Sequence, residues 1–206
     1  SYLGAINWWP LAQAYYLIDQ PDRAIDTFQD VIERLANAPG QEFLAQQIDA
    51  NMQCAGALRS VRRYSEACAG LLAVVGLMPG AGLAWQERIP ALLDDTFNIA
   101  TEAEIDARQL AVLHRLAGFR AKYFQIGNGL QETINLLLTI THHPCQDGAS
   151  YSPEMQELLL KGGRIGLGLH MESKRLEETR RWAAYCLPAY EKCLASMVSA
   201  PLRCAV

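Results

Sequence analysis

Apolar residues in this chain recur at intervals of three and four, and their runs are cut by Pro, Gly and short polar clusters. That interval lines up side chains on one face of an α-helix, which turns once in about 3.6 residues. A half-buried strand would alternate apolar and polar residues, and no segment sustains such alternation. Asn128-Gly129 comes nearest to a tight hairpin turn, but helical patterns flank it on both sides. The chain is therefore expected to be all-α, with about nine or ten helices stacked as antiparallel hairpins along its 206 residues.

The breakers set the expected boundaries. Trp8, Leu11, Ala12, Tyr15 and Leu17 or Ile18 share one face, and Pro21-Asp22 opens the next helix with a preset φ and an acidic first turn. Ala24, Ile25, Phe28, Val31, Ile32 and Leu35 carry it to Asn37-Ala38-Pro39-Gly40. Helices over 42–59 and 65–77 follow, parted near Arg62-Arg63-Tyr64-Ser65 and closed by Met78-Pro79-Gly80-Ala81-Gly82. The next covers 85–98. Thr101-Glu102-Ala103-Glu104 has the form of a capping box and predicts a helix to Gln125. Helices over 130–141, 152–170, 174–186 and 189–199 complete the series, the first of the last three opened by Ser152-Pro153.

Half of the residues are hydrophobic and 19% are charged, enough for a continuous core and too apolar for disorder. The net charge of −4 argues against a nucleic-acid surface, which carries a basic field. No uninterrupted apolar run approaches the roughly 18 residues that span a bilayer, and Leu71–Met78 and Ile134–Ile140 suit core helices. Ser1 begins the chain with neither an initiator Met nor a signal-peptide pattern, which suggests a domain of a longer protein. The six cysteines (Cys54, Cys68, Cys145, Cys186, Cys193 and Cys204) mostly fall in helical patterns, so reduced thiols in a cytoplasmic setting are expected.

Trp8, Leu11, Ala12, Tyr15, Ala24 and Phe28 have the spacing of the tetratricopeptide (TPR) signature, and residues 5–38 resemble one such repeat. A small residue on each helix lets the pair approach closely, while aromatic residues fill the space around the crossing. Ala55, Leu58, Tyr64, Ala67, Leu71, Val74 and Pro79 form a second, weaker match over 48–81. Ala24 and Ala67 lie 43 positions apart, against about 34 in the regular TPR. The chain is thus expected to be one helical-repeat domain over 1–206, with two TPR-like repeats over 5–81 and irregular hairpins over 82–206.

The resemblance implies a protein-interaction scaffold, adaptor or complex subunit, with a groove lined by the first helix of each repeat. Carried over residue by residue, the groove holds Ile6, Trp9, Gln13 and Tyr16, then Asp49, Met52, Gly56 and Arg59. A poorer third match, through Ala121, Phe124, Leu130 and Thr133, adds Arg115, Lys122 and Gln125. Trp8 is assigned to the repeat core and Trp9 to the groove, as an aromatic anchor. The Lys and Asn that grip a C-terminal carboxylate in the chaperone-binding subfamily are replaced here by Trp9 and Gln13, which excludes that mode. An aromatic groove with basic residues further on suits an amphipathic helix or a mixed apolar–acidic segment. The alternative is a ligand-sensing domain of a larger regulator, built around an enclosed apolar pocket.

Motifs that carry chemistry are weak. His142-His143-Pro144-Cys145 offers zinc-type ligands without the further ligands a site needs. Gly162-Gly163-Arg164-Ile165-Gly166-Leu167-Gly168 has no strand before it, so a phosphate loop is not expected. Cys186 and Cys193 are separated by the helix breaker Pro188. Asp94-Asp95 and Glu177-Glu178 are adjacent pairs that diverge on a helix and cannot face one reacting atom. The sequence therefore predicts no catalytic residue, metal or cofactor.

Overall fold

In a computed structural model, the described residues are 2–36, 38, 42–124, 127–142 and scattered positions between 155 and 191, with α1 side chains from Trp8 onward. They form eight α-helices: α1 (Tyr2–Leu17), α2 (Pro21–Ala36), α3 (Glu42–Ser60), α4 (Tyr64–Ala81), the short α5 (Leu83–Gln86), α6 (Ile89–Ala100), α7 (Ala107–Tyr123) and α8 (Gly127–His142). The expected nine or ten are not matched; of the helices predicted over 152–170, 174–186 and 189–199 only scattered residues are described, among them Met155, Leu158, Glu177, Arg180, Arg181 and Glu191, all of them helical. The chain divides into two compact units, 1–112 and 113–206.

In the first unit, α1 packs on α2, α2 on α3, α3 on α4, and α4 on α6. The two hairpin turns are built alike. Asp19 (φ 58°) and Arg62 (φ 61°) stand in the left-handed region just past the ends of α1 and α3. After them, Gln20 N–H donates to the Tyr15 carbonyl and Arg63 N–H to the Leu58 carbonyl, both at 2.9 Å. Asp19 N–H likewise reaches the Tyr16 carbonyl and Arg62 N–H the Arg59 carbonyl. These paired bonds satisfy the last carbonyls of each helix and reverse the chain at once. Each partner in the second turn lies 43 positions after its counterpart in the first.

The same interval recurs a third time. The helices α2, α4 and α7 start at Pro21, Tyr64 and Ala107. Each is entered through an equivalent bond: Ala24 N–H to Gln20, Ala67 N–H to Arg63, and Leu110 N–H to Asp106. This 43-residue period falls in the range of longer helical repeats, about 40–47 residues, rather than at about 34. The small residues stand where the crossing needs them: Ala12, Ala24, Ala55 and Ala67 are at most 3% exposed. Phe28 and its counterpart Leu71 fill the space beside them.

Several local expectations are corrected. The predicted helix over 85–98 is two, because the chain turns at Glu87-Arg88 before Pro90 and places that proline near the start of α6. Thr101 does not cap a following helix; its N–H completes α6 by donating to the Phe97 carbonyl at 3.1 Å. The cap of α7 is Asp106, whose Oδ1 accepts from Gln109 N–H at 2.7 Å, with Gln109 three residues on. Asn128-Gly129 is no turn but lies inside the first turn of α8. Pro79 stays within α4, which makes that helix 18 residues long with a mean hydropathy of 1.3. By length and composition α4 alone among the described helices could cross a bilayer, but Ala67, Cys68, Leu71, Leu72, Val74, Val75 and Met78 are buried against neighbouring helices, the role of a core helix.

In the second unit, Arg120 of α7 is completely buried. Its guanidinium donates to Glu132 at 2.7 Å and to Thr133 Oγ1 at 3.2 Å, and lies 4.3 Å from the ring centre of Phe124. A buried cation is tolerable only with such partners. Gly129 is required because Phe124 lies directly against its Cα.

Candidate partner-binding face

The outward strip of α3 is Asp49, Met52, Gln53, Gly56 and Arg59, which alternate with the buried residues Ile48, Cys54, Ala55 and Leu58. The corresponding strip of α1 lies beside it. Gln13 Nε2 donates to Gln53 Oε1 at 3.2 Å across the two helices. The Tyr16 hydroxyl is 4.0 Å from where a Cβ on Gly56 would stand. Gly56 therefore leaves a shallow recess next to a phenol that is itself 46% exposed.

At the end of α3, Arg59 pairs with Glu102 at 2.6 Å, just after α6. Tyr16, Arg59 and Glu102 are spaced by the 43-residue period, as are Gln13, Gly56 and Ile99. The first-helix positions of the third repeat are thus Asp95, Ile99 and Glu102. Sequence reasoning missed Gln53, Asp95 and Glu102. The signal that finds them is the interval between Ala24 and Ala67, applied once more.

Gln13, Tyr16, Asp49, Met52, Gly56 and Arg59 are brought together on this face. Trp9 is not placed as expected. Its ring is half-buried, meets Phe28 edge-on at 6.1 Å, and packs against Val31, Leu35 and Ala50. Trp8 is the outward tryptophan, 39% exposed with Arg34 stacked on it at 5.0 Å. The reversal arises because α1 is rotated to seat Ala12 on α2, which carries Trp9 inward and Trp8 to the flank. Ile6 lies on α1 and its side chain is outside the described residues, as is Gln125. Arg115 and Lys122 are exposed on α7 in the second unit; the 43-residue register aligns α7 with α2 and α4, not with the first helices α1 and α3.

The face carries Asp49 as an exposed carboxylate, while the Arg59 charge is matched by Glu102. A separate open cleft of about 360 Å³ lies at the turn end of the same unit, lined by Arg62, Arg63, Glu66, Glu104, Asp106 and Arg108 among others. Within it Arg63 makes two bonds to Glu66, at 2.6 and 2.8 Å. That contact holds the Glu66 carboxyl below its ordinary pKa and raises the Arg63 guanidinium. No group of three His, Cys, Asp or Glu suited to a metal occurs among the described residues. His143, Pro144, Cys145 and the glycine-rich 162–168 lie outside them, as does the side chain of His142. Cys54 and Cys68 are free and buried; Cys145, Cys186, Cys193 and Cys204 lie outside the described set.

No family model matches the chain, and no curated protein matches it. Two solved structures are similar to it over most of its length. One holds nearly identical TPR-like repeats of a Podosopora anserina protein assigned as a kinesin light chain, with 15% identity, 97% of this chain and 99% of that chain covered, and a TM-score of 0.36. The other is a single-substitution form of the same repeats, with 19% identity, 86% and 93% covered, and a TM-score of 0.35. By its own antiparallel hairpins and small-residue crossings, this chain has the fold of a TPR-like helical repeat, set on a 43-residue period.

Proposed function

We propose that this chain is a non-enzymatic protein-interaction scaffold or a subunit of a multiprotein assembly, and that the α1–α3 face of its first unit holds a partner helix or peptide. The observation that carries the reading is the continuity of that face. Gln13 and Gln53 bond across two successive first helices, and Tyr16 stands over the recess at Gly56. Tyr16 and Met52 offer apolar contact, the kind of anchor that dominates binding energy. Asp49 favours a segment that pairs apolar with basic side chains, whereas Arg115 and Lys122, which suggested an acidic partner, belong to the second unit. The free thiols Cys54 and Cys68 suit a reducing, cytoplasmic setting.

The test is partner capture with the unmodified chain and with Tyr16→Ala, Met52→Ala and Asp49→Lys, each checked by circular dichroism. All three positions are exposed or half-buried, so folding is expected to persist. The first two substitutions should each weaken capture about tenfold, the size of effect expected at a buried anchor. Asp49→Lys should act mainly on association rate and salt dependence. Capture that is indifferent to all three would rule out this face.

A further inference from the structure

The open cleft at the turn end of the first unit has in its lining a serine that the α1–α3 face does not use. Ser65 stands in the first turn of α4, half-buried, and its hydroxyl donates to Gln109 Oε1 at 2.8 Å. Arg62 lies three positions before it and Arg63 two, in the order Arg-Arg-Tyr-Ser. That order is the one basophilic protein kinases read: an acidic groove beside the active site holds the two guanidinium groups while the hydroxyl meets the γ-phosphate of ATP. The local structure gives access to it. Arg62 and Arg63 are exposed, they stand in the irregular turn between α3 and α4, and no side chain caps the start of α4. A helix end of this kind opens at little cost.

The cleft is furnished for the product as well. Its lining includes the guanidinium groups of Arg62, Arg63 and Arg108. Arg63 is committed to Glu66, but Arg62 and Arg108 make no ion pair among the described residues. The Glu66 carboxyl, held below its ordinary pKa first by the Arg63 bond, also feels Arg108 from the first turn of α7, so Arg108 stands close to the start of α4. Glu102 is matched by Arg59, and Asp106 accepts from the Gln109 N–H. We infer that Ser65 is phosphorylated by a basophilic protein kinase, and that Arg62 and Arg108 hold the phosphoryl group in the cleft. In the transfer, Ser65 Oγ attacks the γ-phosphorus of ATP. The new oxygen–phosphorus bond forms as the bond to the β–γ bridging oxygen breaks; ADP leaves with that electron pair, and the hydroxyl proton passes to a carboxylate of the kinase. A phosphoserine carries about −1.5 to −2 charges near pH 7 and suits the two-bond grip of a guanidinium. At Ser65 it also lies near the positive end of α4. The ester oxygen no longer donates, so the bond to Gln109 gives way to bonds that tie the turn before α4 to the start of α7. The link between the second and third repeats thereby changes from a neutral bond to a charged one.

The test incubates the folded 206-residue chain with the catalytic subunit of cyclic-AMP-dependent protein kinase and MgATP, and locates the label by mass spectrometry. One phosphoryl group at Ser65 is expected, and none at that position in Ser65→Ala. Arg62→Gln, at an exposed position and with an unchanged circular dichroism spectrum, should slow transfer about tenfold through the loss of one guanidinium from the kinase groove. Arg108 lies outside the order that the kinase reads, so Arg108→Gln acts on the product. Phosphorus NMR titration of the phosphorylated chain should give a phosphate pKa below the usual value of about 6, because guanidinium groups favour the dianion, and Arg108→Gln should move it back toward that value. No label at Ser65 in the folded chain, or a rate indifferent to Arg62→Gln, would overturn the modification. A phosphate pKa of about 6 or higher, or one that Arg108→Gln leaves in place, would overturn the cleft as its holder.

Discussion

Replacing Gly129 by alanine sets two well-defined effects against each other. An added Cβ would stand 2.3 Å from Phe124 Cδ1, 2.9 Å from its Cγ and 3.0 Å from its Cε1. Ordinary carbon contacts are about 3.5–4.0 Å, so the ring must retreat by about 1 Å or more. The ring has little freedom to do so: its centre lies 4.3 Å from the Arg120 guanidinium carbon, and Arg120 is fully buried with bonds to Glu132 and Thr133. Overpacking of this kind costs about 1–3 kcal/mol, and a weakened cation–ring contact adds up to about 1 kcal/mol. In the other direction, alanine favours a helix over glycine by about 1 kcal/mol, and by less in the first turn. The steric effect wins, for a net loss of about 1–3 kcal/mol. Urea unfolding followed by circular dichroism measures it on the parent, Gly129→Ala, Phe124→Ala and the double variant. Without the ring the same substitution should be neutral or stabilising by up to about 1 kcal/mol, so the cycle isolates the contact. The reasoning fails if Gly129→Ala is as stable as the parent, or if its cost is the same with and without Phe124.

Three further outcomes follow from the packing. Phe28→Ala should cost about 3–5 kcal/mol in chemical denaturation, since Phe28 is fully buried and carries the edge of Trp9; a cost under about 1 kcal/mol would contradict the crossing described. Asp106→Ala should remove about 1 kcal/mol by uncapping α7, and Asp106→Asn should recover most of it. Burial pushes the Cys54 thiol up to about 11 and the Cys68 thiol up to about 12, from an ordinary 9.0. Because the folded values are raised, their stabilising effect is complete below pH 9 and declines as pH climbs toward 11–12. Alkylation at about pH 8, read by mass spectrometry, should therefore label neither thiol in the native chain at the unfolded chain's rate; rapid labelling of either would refute their burial.

Helix content was legible in the sequence because it depends on local matters: a period near 3.6, proline at a first turn, acidic residues near helix starts. The small residues were legible too. Ala12, Ala24, Ala55 and Ala67 are where close helix approach demands them, and all four are buried. The 43-residue interval stood in the sequence between Ala24 and Ala67, but its third turn was hidden because the equivalent residue is Leu110, not a second alanine–aromatic match. The cap of α7 was misplaced for a related reason: Thr101 and Asp106 both offer a capping oxygen, and which one meets a free N–H is settled by where α6 ends.

What the sequence by itself determined is the all-α class, the first two hairpins and the residue types at their crossings, since each follows from neighbours within one or two turns of helix. What only the tertiary structure decided is rotation and register. Adjacent residues on a helix point about 100° apart. Trp8 and Trp9 therefore exchange roles according to how α1 is turned against α2, and composition cannot tell them apart. The same holds for the outer face. Leu11, Ala14 and Ile18 look like core residues in the sequence, and their counterparts Cys54, Ala57 and Val61 are buried or half-buried; they stand exposed because no described helix of this unit lies against that side of α1.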